Sequence, residues 1–143
     1  KGLMADLDDG PLQTPLSADE IQSSILNLLD TFQFDAVFTH NPRGEYPRHL
    51  RHEEVSAAVR QLIEQKKIKA TVFLIFSYEN CLPRKTANLL FTLPPDIWHR
   101  KKNIIINDYG FKATSFEAKA SSNIEAYEIM EILSDRRKMG TGS

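Results

Sequence analysis

The chain has 143 residues, a length that fits one domain, with 41% hydrophobic and 26% charged residues and a formal net charge of -1. This composition excludes a chain that is disordered throughout, and the near-neutral charge gives no electrostatic case for nucleic-acid binding. The longest apolar runs, Val72 to Phe76 and Ile104 to Ile106, fall far short of the ~20 residues that a membrane-spanning helix needs. The single cysteine, Cys81, cannot form an intrachain disulfide, which favours a reducing, cytoplasmic location.

The first half of the chain predicts a loop, a helix, a strand and a second helix. Residues 1 to 16 place glycine and proline among acidic residues, which is typical of a loop. A helix is expected to begin after Ser17, because Ser17 and Glu20 form a capping box in front of apolar residues at helical spacing. Asp35 to His40 is predicted as a short buried strand, and the second helix runs from Glu53 to about Gln65.

The second half contains the strongest predicted strand, Ala70 to Tyr78, whose near-continuous apolar character indicates burial on both faces, as in a parallel sheet. Strand, loop, helix and strand in this order predict a right-handed βαβ crossover and hence an α/β fold. A further strand is expected at Asn88 to Thr92, and a helix opens at Pro94-Pro95 and ends at Gly110. The stretch Ser121 to Asp135 fits either a helix or a strand.

Three of the chain's four histidines lie in the loop between the first predicted strand and the second predicted helix. His49 and His52 are three residues apart, so at the start of a helix their imidazoles share one face and can approach the same ligand. Glu45 and Tyr46 add a carboxylate and a phenol, and His40 stands at the carboxyl edge of the sheet, where open α/β sheets hold their sites. Metal binding or catalysis is one interpretation of this loop, and solvated or helix-capping histidines are the other.

The loop sequence Thr39-His40-Asn41-Pro42-Arg43-Gly44-Glu45-Tyr46, followed by His49-x-x-His52, resembles the second signature of the LmbE-like (PIG-L) family of zinc-dependent N-acetylglucosamine-type deacetylases. The resemblance implies a Rossmann-like three-layer sandwich with a mostly parallel sheet, of which residues 1–143 would be the C-terminal part. The family's first signature, Ala-His-Pro-Asp-Asp, supplies zinc ligands and a general base and does not occur in this sequence. The remaining zinc ligands are therefore expected from an N-terminal segment that this chain lacks.

Carried over residue by residue, the resemblance makes His52 a zinc ligand and His49 the group that stabilises the oxyanion or protonates the leaving amine. Tyr46 matches a catalytic loop tyrosine that closes over the bound amide. A second set of residues is expected to bind substrate or to orient the ligands: His40, Arg43 and Glu45. The implied reaction is hydrolysis of an N-acetyl group on a small-molecule amino-sugar conjugate, with no nucleic acid and no membrane span, and a homo-oligomer is left open.

The same loop leaves two other functions open. The first is a non-catalytic binding or structural relative that kept the fold and lacks the metal site. The second is a hydrolase of an unrelated type, in which His40, His49 and Glu45 form a site of their own. Activity that survives the loss of His52 would separate this second alternative from a zinc enzyme.

Overall fold

The computed structural model describes residues 2–10, 12–45 and 48–132. The helices are α1 Ala18–Leu28, α2 Leu50–Glu64, α3 Pro95–Asn103, which continues into a π-helical turn at Ile104–Asp108, and α4 Phe116–Ala120. The strands are β1 Gln33–Thr39, β2 Lys69–Phe76, β3 Tyr78–Glu79, β4 Leu82–Pro83, β5 Leu89–Thr92 and β6 Ile124–Ile132. None of the helices in these ranges has both the length and the apolar character needed to cross a membrane.

Four strands form one sheet in the order β1-β2-β6-β5. β1 and β2 pair in parallel, with Thr39 opposite Ile75, and α2 connects them, as the order of predicted elements indicated. β6 lies antiparallel to both β2 and β5. The protein is therefore a mixed α/β fold with a mostly antiparallel sheet, and the described residues do not form the mostly parallel, Rossmann-like sheet that the sequence predicted.

The direction of β6 explains this difference. The apolar run in β2 correctly indicated burial, since Phe73, Leu74 and Ile75 are all buried. Burial of a strand on both faces is typical of parallel sheets, but it does not exclude an antiparallel neighbour. The sequence had left the stretch from Ser121 open between helix and strand; the structure makes Ile124–Ile132 a strand, and residues from 133 onward lie outside the described part of the chain.

Short-range sequence patterns predicted the starts of α1 and α2 to within three residues. The Ser17 hydroxyl accepts a hydrogen bond from the Glu20 amide at 3.2 Å, which confirms the predicted N-cap of α1. α2 begins at Leu50, three residues before the predicted start at Glu53, with His49 as its N-cap residue in an extended conformation. His52 consequently lies in the first turn of α2, whereas His49 stands just outside the helix.

The apolar core lies between the sheet and the two long helices. It contains Val59 from α2 together with Phe73 and Ile75 from β2. Further partly buried hydrophobic residues from α1, α2 and β1 surround these three: Ile25, Val37, Val55 and Ile63. Packing of α2 against β1 and β2 therefore holds the start of α2 close to the carboxyl ends of the two parallel strands.

Truncation of a core side chain tests this packing. Leu62→Ala is expected to lower the free energy of unfolding by roughly 2–5 kcal/mol, because Leu62 is 0% exposed and its removal leaves a cavity. Leu12→Ala removes the same atoms from a side chain that is 93% exposed, so its effect should stay within about 0.5 kcal/mol. Urea denaturation followed by circular dichroism measures both, and equal losses would contradict the burial of Leu62.

Candidate metal and ligand site

The loop after β1 is shaped by Asn41, whose side chain is 0% exposed. The Asn41 carbonyl accepts a hydrogen bond from the Gly44 amide at 3.0 Å, and its side-chain oxygen accepts one from the Arg43 amide at 3.0 Å. The Asn41 side-chain amide also donates to the Phe76 carbonyl at 2.8 Å, which ties the loop to the end of β2. Gly44 adopts φ +75°, a conformation that glycine reaches without steric cost, so the chain turns back and directs Glu45 towards His40.

Glu45 is the centre of the site, with a side chain that is only 4% exposed. Its Oε1 accepts a hydrogen bond from the Asn41 amide at 2.7 Å and lies 3.1 Å from His40 Nδ1. Its Oε2 lies 3.0 Å from His52 Nδ1. Burial alone would raise the pKa of Glu45, but the hydrogen bonds from His40, His52 and the Asn41 amide outweigh it and lower the pKa to about 2.

The ionised state of Glu45 determines which nitrogens of the two histidines are free. A carboxylate only accepts hydrogen bonds, so the Nδ1 atoms of His40 and His52 that face it must both carry hydrogen. In the neutral rings the lone pair then resides on Nε2. The two rings are stacked, with centroids 3.8 Å apart and an angle of 11° between their planes.

This cluster has the composition of a metal site. His40, Glu45 and His52 each offer one ligand atom, and these atoms lie within 4.8 Å of one another, so the group could hold a metal ion. Imidazole nitrogen and carboxylate oxygen both bind zinc, although the same pair of ligand types also suits other divalent ions. A carboxylate that accepts the Nδ1 hydrogens of ligating histidines is a common outer-shell arrangement, because it orients the rings and makes them more basic.

A cavity of about 500 Å³ adjoins the cluster. This volume is in the range of small-molecule sites. The lining residues come from the loop after β1, α2, the end of β2, β3, α3 and β6: His40, Glu45, His52, Phe76, Tyr78, Lys101, Glu125 and Tyr127. The cavity therefore combines a histidine cluster with aromatic rings and a second charged group.

That second charged group is formed by Lys101 and Glu125. The Lys101 ammonium lies 2.6 Å from Glu125 Oε1, and the Tyr78 hydroxyl lies 2.8 Å from Glu125 Oε2. The Tyr78 hydroxyl also accepts a hydrogen bond from the Ala126 amide at 2.8 Å, which anchors it to β6. Nearby, burial and the negative charge of Glu125 raise the pKa of the Tyr127 phenol.

The other residues predicted for the site lie elsewhere. His49 is not among the cavity-lining residues; its ring centroid is 4.4 Å from that of His52, and its Nε2 is 2.8 Å from Gln13 Nε2. The Arg43 side chain is 59% exposed and its guanidinium is 3.9 Å from Glu128. Tyr46, predicted as catalytic, lies outside the described residues. Glu45, expected to bind substrate or to orient the ligands, contacts His52 and His40.

Sequence reasoning missed five of the eight cavity-lining residues, all of them distant from the histidine loop: Phe76, Tyr78, Lys101, Glu125 and Tyr127. Lys101 belongs to the basic run Arg100-Lys101-Lys102, and such a run is usually exposed to solvent. Glu125 and Tyr127 enter the cavity because β6 pairs with β2 so that Tyr127 lies opposite Phe76. The sequence carries one weak local signal for these cavity-lining residues, namely a polar residue beside the end of an apolar strand.

Comparisons of the chain with protein-family models, with curated proteins and with solved structures find no match. The geometry of the site and the residues of the histidine loop are therefore the observations that bear on the function.

Removal of the Glu45 charge tests the role of this carboxylate in stability. Glu45→Gln is expected to lower the free energy of unfolding at pH 7 by about 2 kcal/mol, since three N–H donors lose an ionised acceptor. The Glu45 pKa is lowered from 4.5 to about 2, so its contribution is complete above pH 4.5 and is lost as the pH falls through about 2. The difference in unfolding free energy between wild type and variant should shrink across this window.

Glu64→Gln is the matched control, because the Glu64 side chain is 65% exposed and its ion pair with Arg60 lies on the helix surface. Its unfolding free energy should stay close to that of the wild type. A Glu45→Gln difference that is constant between pH 2 and pH 5 would contradict the assignment of a buried, ionised Glu45.

Proposed function

We propose that this chain carries part of the site of a zinc-dependent deacetylase, which hydrolyses the N-acetyl group of a small amino-sugar conjugate. The observation that carries the proposal is the stacked pair His40 and His52, both held at Nδ1 by the buried Glu45 carboxylate at the wall of a cavity of about 500 Å³. The resemblance of the loop to the LmbE-like signature supports zinc as the metal and an acetamide as the group that reacts.

The residues of this chain fit a zinc ion in a defined way. His52 would hold the ion through Nε2, with its ring oriented at Nδ1 by Glu45 from outside. His40 is oriented by the same carboxylate, and it would supply a second nitrogen once its ring turns out of the stack, in which the two lone pairs run parallel. When bound, zinc lowers the pKa of a coordinated water to ~7 and polarises the carbonyl of the amide. The remaining ligands and the carboxylate that takes the proton from water would come from a segment with the family's first signature.

The cavity walls suit a sugar conjugate. Phe76 and Tyr127 have ring centroids 5.5 Å apart and offer apolar surface for the C–H faces of a sugar ring. Lys101 and Glu125 supply a donor and an acceptor that can hydrogen-bond sugar hydroxyls. His49 lies beside His52 and does not line the cavity; the resemblance gives it the role of donor to the developing oxyanion, with Tyr46 assisting over the bound amide.

A non-catalytic binding module is the second candidate, and one observation favours it. Both oxygens of Glu45 are already hydrogen-bonded within the chain, so the cluster is satisfied without a metal ion. The unrelated hydrolase built on His40, His49 and Glu45 has less support, because Glu45 contacts His40 and His52 while His49 contacts Gln13.

Location and assembly belong to the same proposal. A cytoplasmic location is supported by the single cysteine, which requires no oxidising compartment. The partner is a small molecule, and no nucleic acid is proposed, because the formal net charge is -1. A homo-oligomer stays a prediction.

Zinc binding by matched histidine variants tests the proposal. His52→Ala is expected to weaken zinc affinity by more than roughly 100-fold, and Glu45→Gln by roughly 10–100-fold, the range typical of an outer-shell partner. His99→Ala removes an exposed histidine outside the cavity and should leave the affinity unchanged. Competition with a chromophoric chelator measures all three affinities.

Acetate release from N-acetylglucosamine conjugates, measured on the purified protein, separates the two candidates. Zinc binding with zinc-dependent acetate release that is lost in His52→Ala supports the deacetylase. Ligand binding without acetate release supports the binding module. Equal zinc affinity in the wild type, His52→Ala and His99→Ala would overturn the metal site.

A further inference from the structure

The segment before α1 is attached to the first turn of α2 by buried charged groups. The Arg51 side chain is 7% exposed, and its guanidinium donates to the carbonyls of Asp8 at 2.9 Å and Thr14 at 3.1 Å. Arg51 also forms an ion pair with Glu54, which in turn accepts a hydrogen bond from the Leu16 amide at 3.1 Å. The backbone on both sides of Gln13 is therefore held at a defined place beside the helix start.

Both the oxygen and the nitrogen of the Gln13 carboxamide make contacts at the start of α2. Its Oε1 accepts a hydrogen bond from the Leu50 amide at 3.1 Å, and this amide is one of those that a helix N-terminus leaves without an intrahelical partner. Its Nε2 lies 2.8 Å from His49 Nε2 and 3.3 Å from Asp9 Oδ1. Gln13 holds this position with φ +38°, a conformation uncommon for residues other than glycine.

These contacts determine which nitrogen of His49 carries hydrogen. The Leu50 amide can only donate, so the end of the Gln13 carboxamide that faces it must be the oxygen. The other end is the NH2 group, which donates to His49 Nε2 and requires a lone pair there. A neutral His49 then carries its hydrogen on Nδ1. That atom is buried and has no hydrogen-bond partner within the described residues.

We propose that Gln13 is a positioning residue that fixes His49 as its Nδ1–H tautomer and keeps the Nδ1 donor free for a ligand oxygen. The link to catalysis rests on the proposed function, in which His49 donates to the developing oxyanion. A buried N–H without an acceptor is unfavourable. Because Nδ1 is buried and His49 does not line the cavity, the ring has to move towards the cavity before Nδ1 can donate to a ligand oxygen. Gln13 therefore acts on the reaction only through His49, since Gln13 is not among the residues that line the cavity.

Nitrogen-15 NMR of the histidine side chains tests this assignment on the purified chain, about two pH units above the ordinary histidine pKa of ~6.5. The wild type should show a pyrrole-type signal at Nδ1 and a pyridine-type signal at Nε2 of His49, with the Nδ1–H form in roughly tenfold excess or more. His49→Gln assigns the signals by their loss. The exposed His99 provides an internal reference that should not change.

Gln13→Glu is the decisive variant. Glutamate keeps an oxygen for the Leu50 amide, so the helix start is retained, but it replaces the NH2 donor by an acceptor facing His49. The hydrogen is expected to move to Nε2 of His49. Asp9→Asn is the matched control, since Asp9 Oδ1 is 3.6 Å from the same nitrogen, and it should keep the wild-type pattern.

An Nε2 hydrogen on His49 in the wild type, or an unchanged pattern in Gln13→Glu, would overturn the proposal. Should Gln13→Glu fail to fold, Gln13→Ala replaces it, and an undiminished excess of the Nδ1–H form there would equally overturn it. The test is independent of the proposed function. Loss of acetate release with a correct tautomer rejects only the deacetylase, and acetate release with the opposite tautomer rejects only the role of Gln13.

Discussion

A buried carboxylate has to be surrounded by hydrogen-bond donors, and in this protein that requirement organises the whole site. Glu45 finds its donors in a backbone amide next to it in the loop and in two imidazoles from either side of that loop, His40 and His52. Because the same carboxylate holds both rings, their positions are coupled. The stacking of the rings and the presence of a lone pair on each Nε2 of the neutral rings follow from this one group.

The strand pairings of the sheet determine which other residues line the cavity. The parallel pairing of β1 and β2 places the loop after β1 beside Phe76, at the carboxyl end of β2. The antiparallel pairing of β2 with β6 brings Tyr127, from the N-terminal half of β6, to that same end. A cavity with a histidine cluster on one side and the Lys101 and Glu125 pair among its lining residues therefore requires both directions of pairing. A wholly parallel sheet would have placed the other end of β6 there.

Much of the secondary structure was predictable, because it depends on interactions between neighbours in the chain. The Ser17 cap, the helical spacing of apolar residues in α2 and the apolar run of β2 all have a local physical cause. The start of α2 was placed three residues late, since its first turn is polar. The direction of β6 could not be predicted, because a strand pattern carries no information about the partner beside it.

The sequence by itself determined the order of the first elements and the histidine loop, including His40, His52 and a carboxylate expected to orient a histidine. Only the tertiary structure decided that Glu45 joins His40 to His52, that His49 is held by Gln13 instead, and that β6 and α3 complete the cavity. The physical reason is distance along the chain. Capping and periodicity act over a few residues, whereas Gln13 and His49 are 36 residues apart, and their contact exists only once the chain has folded.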